Sequence, residues 1–134
     1  MNGLDPVTVQ RLEGLAFLVA AVIGFAESDV TWWWFAALLL VPDVSMVGYL
    51  VSPRLGAITY NLGHTLVVPA ILFGWYLLDG PEFVLILAWT WLAHIGMDRA
   101  LGYGLKHSDR FTHTHLGMIG PGRRSSGSIS SPPA

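Results

Sequence analysis

The sequence predicts an all-α membrane protein in which four helices form a transmembrane bundle. Of its 134 residues, 53% are hydrophobic and only 12% are charged, whereas soluble domains typically carry about 25% charged residues. The apolar residues fall into four runs, each near the roughly 20 residues that cross a bilayer as a helix. Cysteine is absent, which excludes disulfides, thiolate nucleophiles and Cys-ligated metals. No basic stripe indicates binding of nucleic acid. The four apolar runs make the lipid bilayer the expected partner.

The first predicted span covers residues 8–26 of an integral membrane domain at 1–120. It is an apolar run that contains Arg11 and Glu13 and ends at a polar turn. A cleaved signal peptide is the alternative, because Gly24-Phe25-Ala26 offers small residues near a cleavage point. Glu13 inside the apolar run argues against cleavage and favours a retained helix.

The other three spans are predicted at residues 31–51, 56–78 and 82–101. The second opens on three consecutive tryptophans, which are typical of the aromatic belt at a bilayer surface. The third contains Pro69, which predicts a kink that neighbouring helices relieve. Short polar turns with Pro, Gly, Ser or Asp separate the spans.

The basic residues predict the orientation of the bundle. With four spans, all seven Lys and Arg residues lie in the amino terminus, the second loop and the carboxyl segment, on one side of the membrane. Cytoplasmic loops are rich in Lys and Arg, so we expect both termini in the cytoplasm, at a bacterial inner membrane. Residues 121–134 are rich in Ser, Pro and Gly and are predicted to form a disordered tail.

Ionisable residues interrupt the apolar runs at a common depth. A rise of about 1.5 Å per residue places five of them about 5 to 12 Å inside the cytoplasmic boundary. They are Glu13, Asp43, His64, His94 and Asp98. His94 and Asp98 are four residues apart, so they share one helical face. Charges at membrane depth are costly, so such groups usually face the protein interior and mark function.

The chemistry of these side chains indicates a metal centre. Imidazole and carboxylate donors without sulfur suit zinc, manganese or iron. The predicted metal ligands are Asp43, His64, His94 and Asp98. Glu13 and Asp98 are the predicted catalytic carboxylates, either of which would serve as general base. The alternative is a structural polar cluster, in which the carboxylates pair with arginines and the histidines bind backbone groups.

Three further residues are predicted to support the ligands. Asn61 precedes His64 by three residues and would orient it or hold helices together. Arg99 follows Asp98 and is available to pair with a carboxylate. His115 lies just past the fourth span, where it would cap the site or belong to a solvated loop. Tyr60 is predicted to be an interfacial anchor.

Five motifs follow one another along the chain in a specific order. They are Arg11-Leu-Glu13-Gly14, Pro42-Asp43-Val-Ser45-Met46-Val-Gly48-Tyr49, Tyr60-Asn61-Leu-Gly-His64, His94-Ile-Gly-Met-Asp98-Arg99-Ala-Leu-Gly102-Tyr103-Gly104-Leu-Lys106 and Thr114-His115-Leu-Gly117. Together they resemble the motifs of a small bacterial membrane family catalogued as domain of unknown function 4260. The resemblance spans about residues 10 to 120 and implies a compact multi-pass protein, without supplying an activity.

A fainter likeness carries more chemistry. A Pro-Asp pair, a mid-chain His and a later His-x-x-x-Asp are similar to the pattern of membrane-bound metal-dependent hydrolases, distantly akin to zinc-dependent phospholipase C. Such proteins usually show a His-Arg-x-x-Thr-His element, where this chain has Asn61-Leu-Gly-His64. Two hypotheses follow: a metal-dependent hydrolase of a lipid or phosphoester substrate, or a non-enzymatic carrier or interaction protein whose buried acids and histidines handle protons or fix helix packing.

Overall fold

The computed structural model describes residues 5–108 and 113–118. Four helical spans make up most of this part of the chain. All four are long and apolar enough to cross a membrane, which confirms the predicted all-α class. They are Pro6–Ala26, Trp32–Leu50, Pro53–Leu77 and Glu82–Leu101. The tail predicted at residues 121–134 lies outside the described residues.

Large apolar side chains cover the outside of the bundle. Leu50 is 85% exposed and Leu78 is 84% exposed, and many other leucines, valines and tryptophans also point outward. A surface of this kind is unfavourable in water and suits contact with acyl chains. The chain is therefore a multi-pass membrane protein.

Helices α1 (Pro6–Ala26) and α5 (Glu82–Leu101) make the most extensive contact between any two of the described helices. Glycines make this approach possible: a Cβ built on Gly14 would lie 2.8 Å from the Gly96 carbonyl oxygen. At one end of the pair, the Arg11 Nε donates to the Ala100 carbonyl at 3.0 Å. The start of α1 and the end of α5 thus lie at the same end of the bundle.

The second span consists of two different helices. Helix α2 (Trp32–Leu39) gives way to a 3₁₀ helix (Val41–Leu50). Pro42 has no N–H to donate to the carbonyl four residues earlier, so the α-helical pattern cannot continue through it. Asp43 N–H then bonds to the Leu40 carbonyl in the tighter 3₁₀ pattern.

The third span is also interrupted. Helix α3 (Pro53–His64) ends at Thr65, whose ψ of 148° is extended, and α4 (Val67–Leu77) follows. The kink predicted at Pro69 is thus a break four residues earlier. The proline ring clashes with the carbonyl of residue i−4, which is that of Thr65.

The segment after α5 turns back across the end of the bundle. It contains two short antiparallel strands, β1 (His113–Thr114) and β2 (Gly117–Met118). Lys106 forms a β-bridge with Thr114, and both residues are buried. We call residues 102–108 and 113–118 the C-terminal strap.

Candidate metal centre

Two buried imidazoles meet in the middle of the bundle. His64, the last residue of α3, is 4% exposed, and His94 on α5 is 2% exposed. Their Nε2 atoms lie 3.0 Å apart. The two rings are tilted by 65°, with centroids 5.0 Å apart, so they meet at their edges.

Two carboxylates contact the same pair of nitrogens. Asp43 Oδ1 lies 3.3 Å from His94 Nε2 and 3.6 Å from His64 Nε2. Asp98 Oδ2 lies 3.3 Å from His94 Nε2 and 3.5 Å from His64 Nε2. The structure thus brings together all four predicted metal ligands, from the 3₁₀ helix, α3 and α5. Among the described residues, Asp43 and the two histidines form a group whose ligand atoms all lie within 4.8 Å of one another.

The 3₁₀ helix determines how Asp43 reaches this cluster. With three residues per turn, side chains at every third position form straight rows. Pro42 and Gly48 belong to a buried row, whereas Val44 and Val47 belong to an exposed apolar row. Asp43 lies on the row between them, so its carboxylate reaches the histidines while its side chain stays 41% exposed.

Backbone carbonyls define the protonation of both rings. His64 Nδ1 lies 2.9 Å from the Tyr60 carbonyl oxygen, and His94 Nδ1 lies 2.6 Å from that of Leu39. A carbonyl oxygen only accepts, so each Nδ1 carries the hydrogen. In the neutral rings, each Nε2 then presents a lone pair to the other ring and to the two carboxylates.

The two helix breaks supply hydrogen-bond acceptors to side chains of α5. Leu39 ends α2, and its carbonyl accepts from His94. The Gly63 carbonyl, next to the break in the third span, accepts from Trp91 Nε1 at 2.7 Å. Trp91 and His94 are three residues apart, so one face of α5 donates hydrogen bonds to a backbone carbonyl at each break. Trp91 was not among the predicted site residues, because its hydrogen bond joins two distant helices and leaves no local pattern in the sequence.

Tyr60 supports the cluster directly instead of anchoring it at the membrane surface. It is 3% exposed, and its hydroxyl donates to Asp98 Oδ2 at 3.2 Å. Its ring stacks on the His64 imidazole with centroids 3.7 Å apart and an interplanar angle of 11°. The prediction of an interfacial anchor is therefore wrong, because Tyr60 contacts Asp98 and His64. Its position one helical turn before His64 is the sequence feature that indicates this contact.

Asn61 and His115 fasten the C-terminal strap. The Asn61 amide bonds both backbone groups of Lys106, with Nδ2 donating at 2.8 Å and Oδ1 accepting at 2.6 Å. His115 Nδ1 accepts from the Leu105 N–H at 2.8 Å, and its Nε2 lies 3.1 Å from Gln10 Oε1. The described hydrogen bonds of both side chains thus go to the strap and to Gln10, where they close the end of the bundle.

The environment of the strap shifts two pKa values. Burial lowers the pKa of the Lys106 ammonium, an effect that the charge of Asp98 partly opposes. The Lys106 Nζ lies 5.0 Å from the centroid of the Tyr60 ring, a cation–π distance. Burial also lowers the pKa of the His115 imidazole below its usual value.

Glu13 and Arg99 lie outside the cluster. Glu13 is exposed on α1, and its charge interacts with that of Arg99. Five ionisable residues were predicted to lie at a common depth. The structure brings four of them together and leaves Glu13 on the surface. Arg99 lines a small cavity of about 10 Å³ beside His64 and Asp98, which is room for one water.

The fold and the cluster define a multi-pass membrane protein in which two buried histidines and two aspartates form one site. The model of the family described as Domain of unknown function (DUF4260) matches residues 7–119. The chain belongs to this family, as its motifs predicted. No curated protein and no solved structure matches it. The likeness to membrane-bound metal-dependent hydrolases stays a hypothesis.

Proposed function

We propose that the protein binds a divalent metal ion between Asp43, His64 and His94 and uses it to hydrolyse an ester or phosphoester. One observation carries the proposal: two imidazole Nε2 atoms lie 3.0 Å apart while both Nδ1 atoms donate to carbonyls. Two lone pairs at this distance repel each other, and two carboxylates add negative charge. A shared cation relieves all of these repulsions at once.

The distances support an ion of the size of zinc. With metal–ligand bonds of about 2.0 to 2.1 Å, the edges of a tetrahedral site are about 3.3 to 3.4 Å long. The three distances among the donor atoms of Asp43, His64 and His94 are 3.0, 3.3 and 3.6 Å. The donated Nδ1–H bonds to carbonyls are the usual support of metal-bound histidines. Zinc, manganese and iron all accept this donor set.

Asp98 is the proposed general base. It contacts both imidazoles, accepts from the Tyr60 hydroxyl and lines the cavity that has room for one water. A bound metal would polarise the ester or phosphoryl oxygen of a substrate. The oxygen of one water then bonds to carbon or phosphorus and the ester oxygen leaves as an alcohol. Asp98 takes a proton from the water and returns it to the leaving oxygen.

Elemental analysis of the protein, purified in mild detergent without chelator, tests this proposal. We expect about one metal ion per chain, lost in His94→Ala, and retained in the matched variant His107→Ala, whose imidazole is exposed. Metal-free wild-type protein that also fails to bind added zinc, manganese or iron would overturn the proposal. Metal without any ester or phosphoester hydrolysis would overturn its enzymatic half.

A second candidate function is proton handling without a metal. A distance of 3.0 Å between two ring nitrogens also suits an N–H···N hydrogen bond within a singly protonated pair. In that case the two aspartates would stabilise the shared proton. Metal-free protein whose proton flux in vesicles is lost in His94→Ala would support this function over the first.

We also propose a bacterial inner membrane with both termini in the cytoplasm. Arg11 and Ala100 are in contact, and Asn61 bonds Lys106, so several basic residues lie at the strap end of the bundle. Because the chain lacks cysteine, a single cysteine can be introduced near either terminus. Its reaction with a membrane-impermeant thiol reagent then reports on which side of the membrane that terminus lies. Labelling in spheroplasts without lysis would contradict the proposed orientation.

A further inference from the structure

We infer that the substrate of this site is a membrane lipid that enters sideways from the bilayer, past Asp43. The inference rests on the proposed hydrolase and names the class of its substrate: an ester or phosphoester whose acyl chains remain in the membrane. It follows from which sides of the cluster are covered and which are open.

The strap covers the end of the cluster that faces water. Lys106 is held to α3 by both of its backbone groups, and Leu105 is held by both backbone and side chain of His115. Gly104, Lys106 and Thr114 are buried. The cavity between the strap and His64 measures only about 10 Å³, so this side accommodates a water but no ester.

The side of the cluster at Asp43 is open. The Asp43 side chain is 41% exposed, whereas that of Asp98 on the strap side is 16% exposed. The neighbours of Asp43 on the outside are Leu40, which is 62% exposed, and Val44, which is 70% exposed. Both are apolar residues within a membrane-spanning segment, so the opening faces lipid instead of water.

The closed strap side and the open Asp43 side give water and the ester substrate separate routes to the site. Water reaches Asp98 from the strap side, where the cavity has room for it. The substrate reaches the ion from the Asp43 side, where a carbonyl or phosphoryl group can approach while the acyl chains contact Leu40 and Val44. A water-soluble ester would have to cross the hydrocarbon region, which disfavours polar and charged groups.

Removal of the metal by two chelators tests the route independently of catalysis. The zinc-loaded full chain is placed in nanodiscs of phosphatidylethanolamine and phosphatidylglycerol, which leave both ends of the bundle accessible to water. We expect the lipid-soluble 1,10-phenanthroline to remove zinc roughly tenfold faster, or more, than the charged chelator EDTA at concentrations that remove free zinc equally fast. Equal rates would overturn lateral access, whereas a chain that never binds zinc would overturn the proposed function instead.

Two matched variants make this test specific. Leu40→Trp adds bulk beside the opening, and Leu78→Trp adds the same bulk at an exposed leucine elsewhere. Removal of zinc by phenanthroline should become slower in Leu40→Trp and stay unchanged in Leu78→Trp. If both variants behave alike, the opening at Asp43 is not the route.

The substrate class is tested with the same nanodiscs. Mass spectrometry follows hydrolysis of the nanodisc phospholipids by zinc-loaded protein, and bis(p-nitrophenyl) phosphate in the buffer serves as the soluble phosphoester. Turnover of the lipid alone supports the inference. Equal or greater turnover of the soluble ester overturns it, and turnover of neither contradicts the hydrolase proposal while the chelator rates still decide the route.

Discussion

His94 on α5 donates its Nδ1–H to the backbone carbonyl of Leu39 at 2.6 Å. The same ring directs its Nε2 at His64 and at two carboxylates. One side chain thus stabilises the break in the second span and forms part of the site. The interrupted helix and the polar cluster therefore depend on each other.

Replacement of His94 should consequently affect stability as well as metal content. His94→Ala leaves the part-buried Leu39 carbonyl without its donor, and an unsatisfied acceptor shielded from water costs about 1 to 3 kcal/mol. We expect the free energy of unfolding in detergent to fall by about that amount in the metal-free state. The control His107→Ala removes an exposed imidazole and should change neither quantity; equal stability of both variants would contradict the Leu39 bond.

The protonation of the imidazole pair can be observed directly. The carbonyl contacts require hydrogen on Nδ1 of both His64 and His94. In ¹⁵N-histidine-labelled protein with bound zinc, both rings should show protonated Nδ1 and metal-bound Nε2 by nuclear magnetic resonance. The variants His64→Ala and His94→Ala assign the signals, and hydrogen on Nε2 in either ring would contradict the geometry.

Tyr60→Phe separates the two contacts of this side chain. The phenylalanine ring can still stack on His64, but the donor to Asp98 is lost. We expect zinc affinity or hydrolysis to fall roughly 10- to 100-fold, the usual effect of removing a hydrogen bond that supports a metal site. Zinc titration and turnover measure the two effects separately.

The matched change at Tyr76 is the control, because this tyrosine lies near the end of α4, beyond the helix break that follows His64. Tyr76→Phe should leave zinc affinity unchanged. Identical losses in both variants would indicate a general effect of removing a tyrosine hydroxyl.

The sequence contained the polar cluster but not the details of the backbone around it. Asp43, His64, His94 and Asp98 were predictable because helical rise and topology place them at one depth. Glu13 met the same criterion of depth, yet it faces outward beside Arg99. Depth along an axis says nothing about rotation around it, and rotation is determined by packing, here by the close contact of Gly14 and Gly96.

The helix breaks were harder to predict for a different reason. Pro42 and Pro69 lie in apolar runs, where a proline predicts only a kink. A complete interruption is stable when another group satisfies the freed carbonyls, and the donors are His94 and Trp91 on a distant helix. Long-range hydrogen bonds of this kind leave no local pattern in one sequence.

Gly14→Ala tests the contact between α1 and α5. The new Cβ would lie 2.6 Å from the Arg99 Cβ and 2.8 Å from the Gly96 carbonyl oxygen, both too close for real contacts. We expect a loss of about 1 to 3 kcal/mol in the free energy of unfolding, as in other overpacked interfaces. Gly74→Ala is the control, since its Cβ would meet nothing within 4 Å, and helix propensity alone should make it neutral or stabilising.

Acid should loosen the C-terminal strap. His115 Nδ1 accepts from the Leu105 N–H, so protonation of this ring removes the bond. Burial lowers the pKa of His115 below its usual value of 6.5, which means that the undocked strap binds a proton more readily than the docked strap. The stabilising contribution is therefore complete above pH 6.5 and is lost progressively below it, down through the lowered pKa.

Hydrogen exchange of the Leu105 amide measures this dependence. After correction for the intrinsic exchange rate, its protection should decrease between about pH 7 and about pH 5 in the wild-type chain. His115→Ala should show low protection at every pH, because the acceptor is absent. Because a loosened strap opens the water-facing side, we also expect EDTA to reach the metal site faster at the lower pH. Constant high protection of the wild-type Leu105 amide across this pH range would contradict the role of His115.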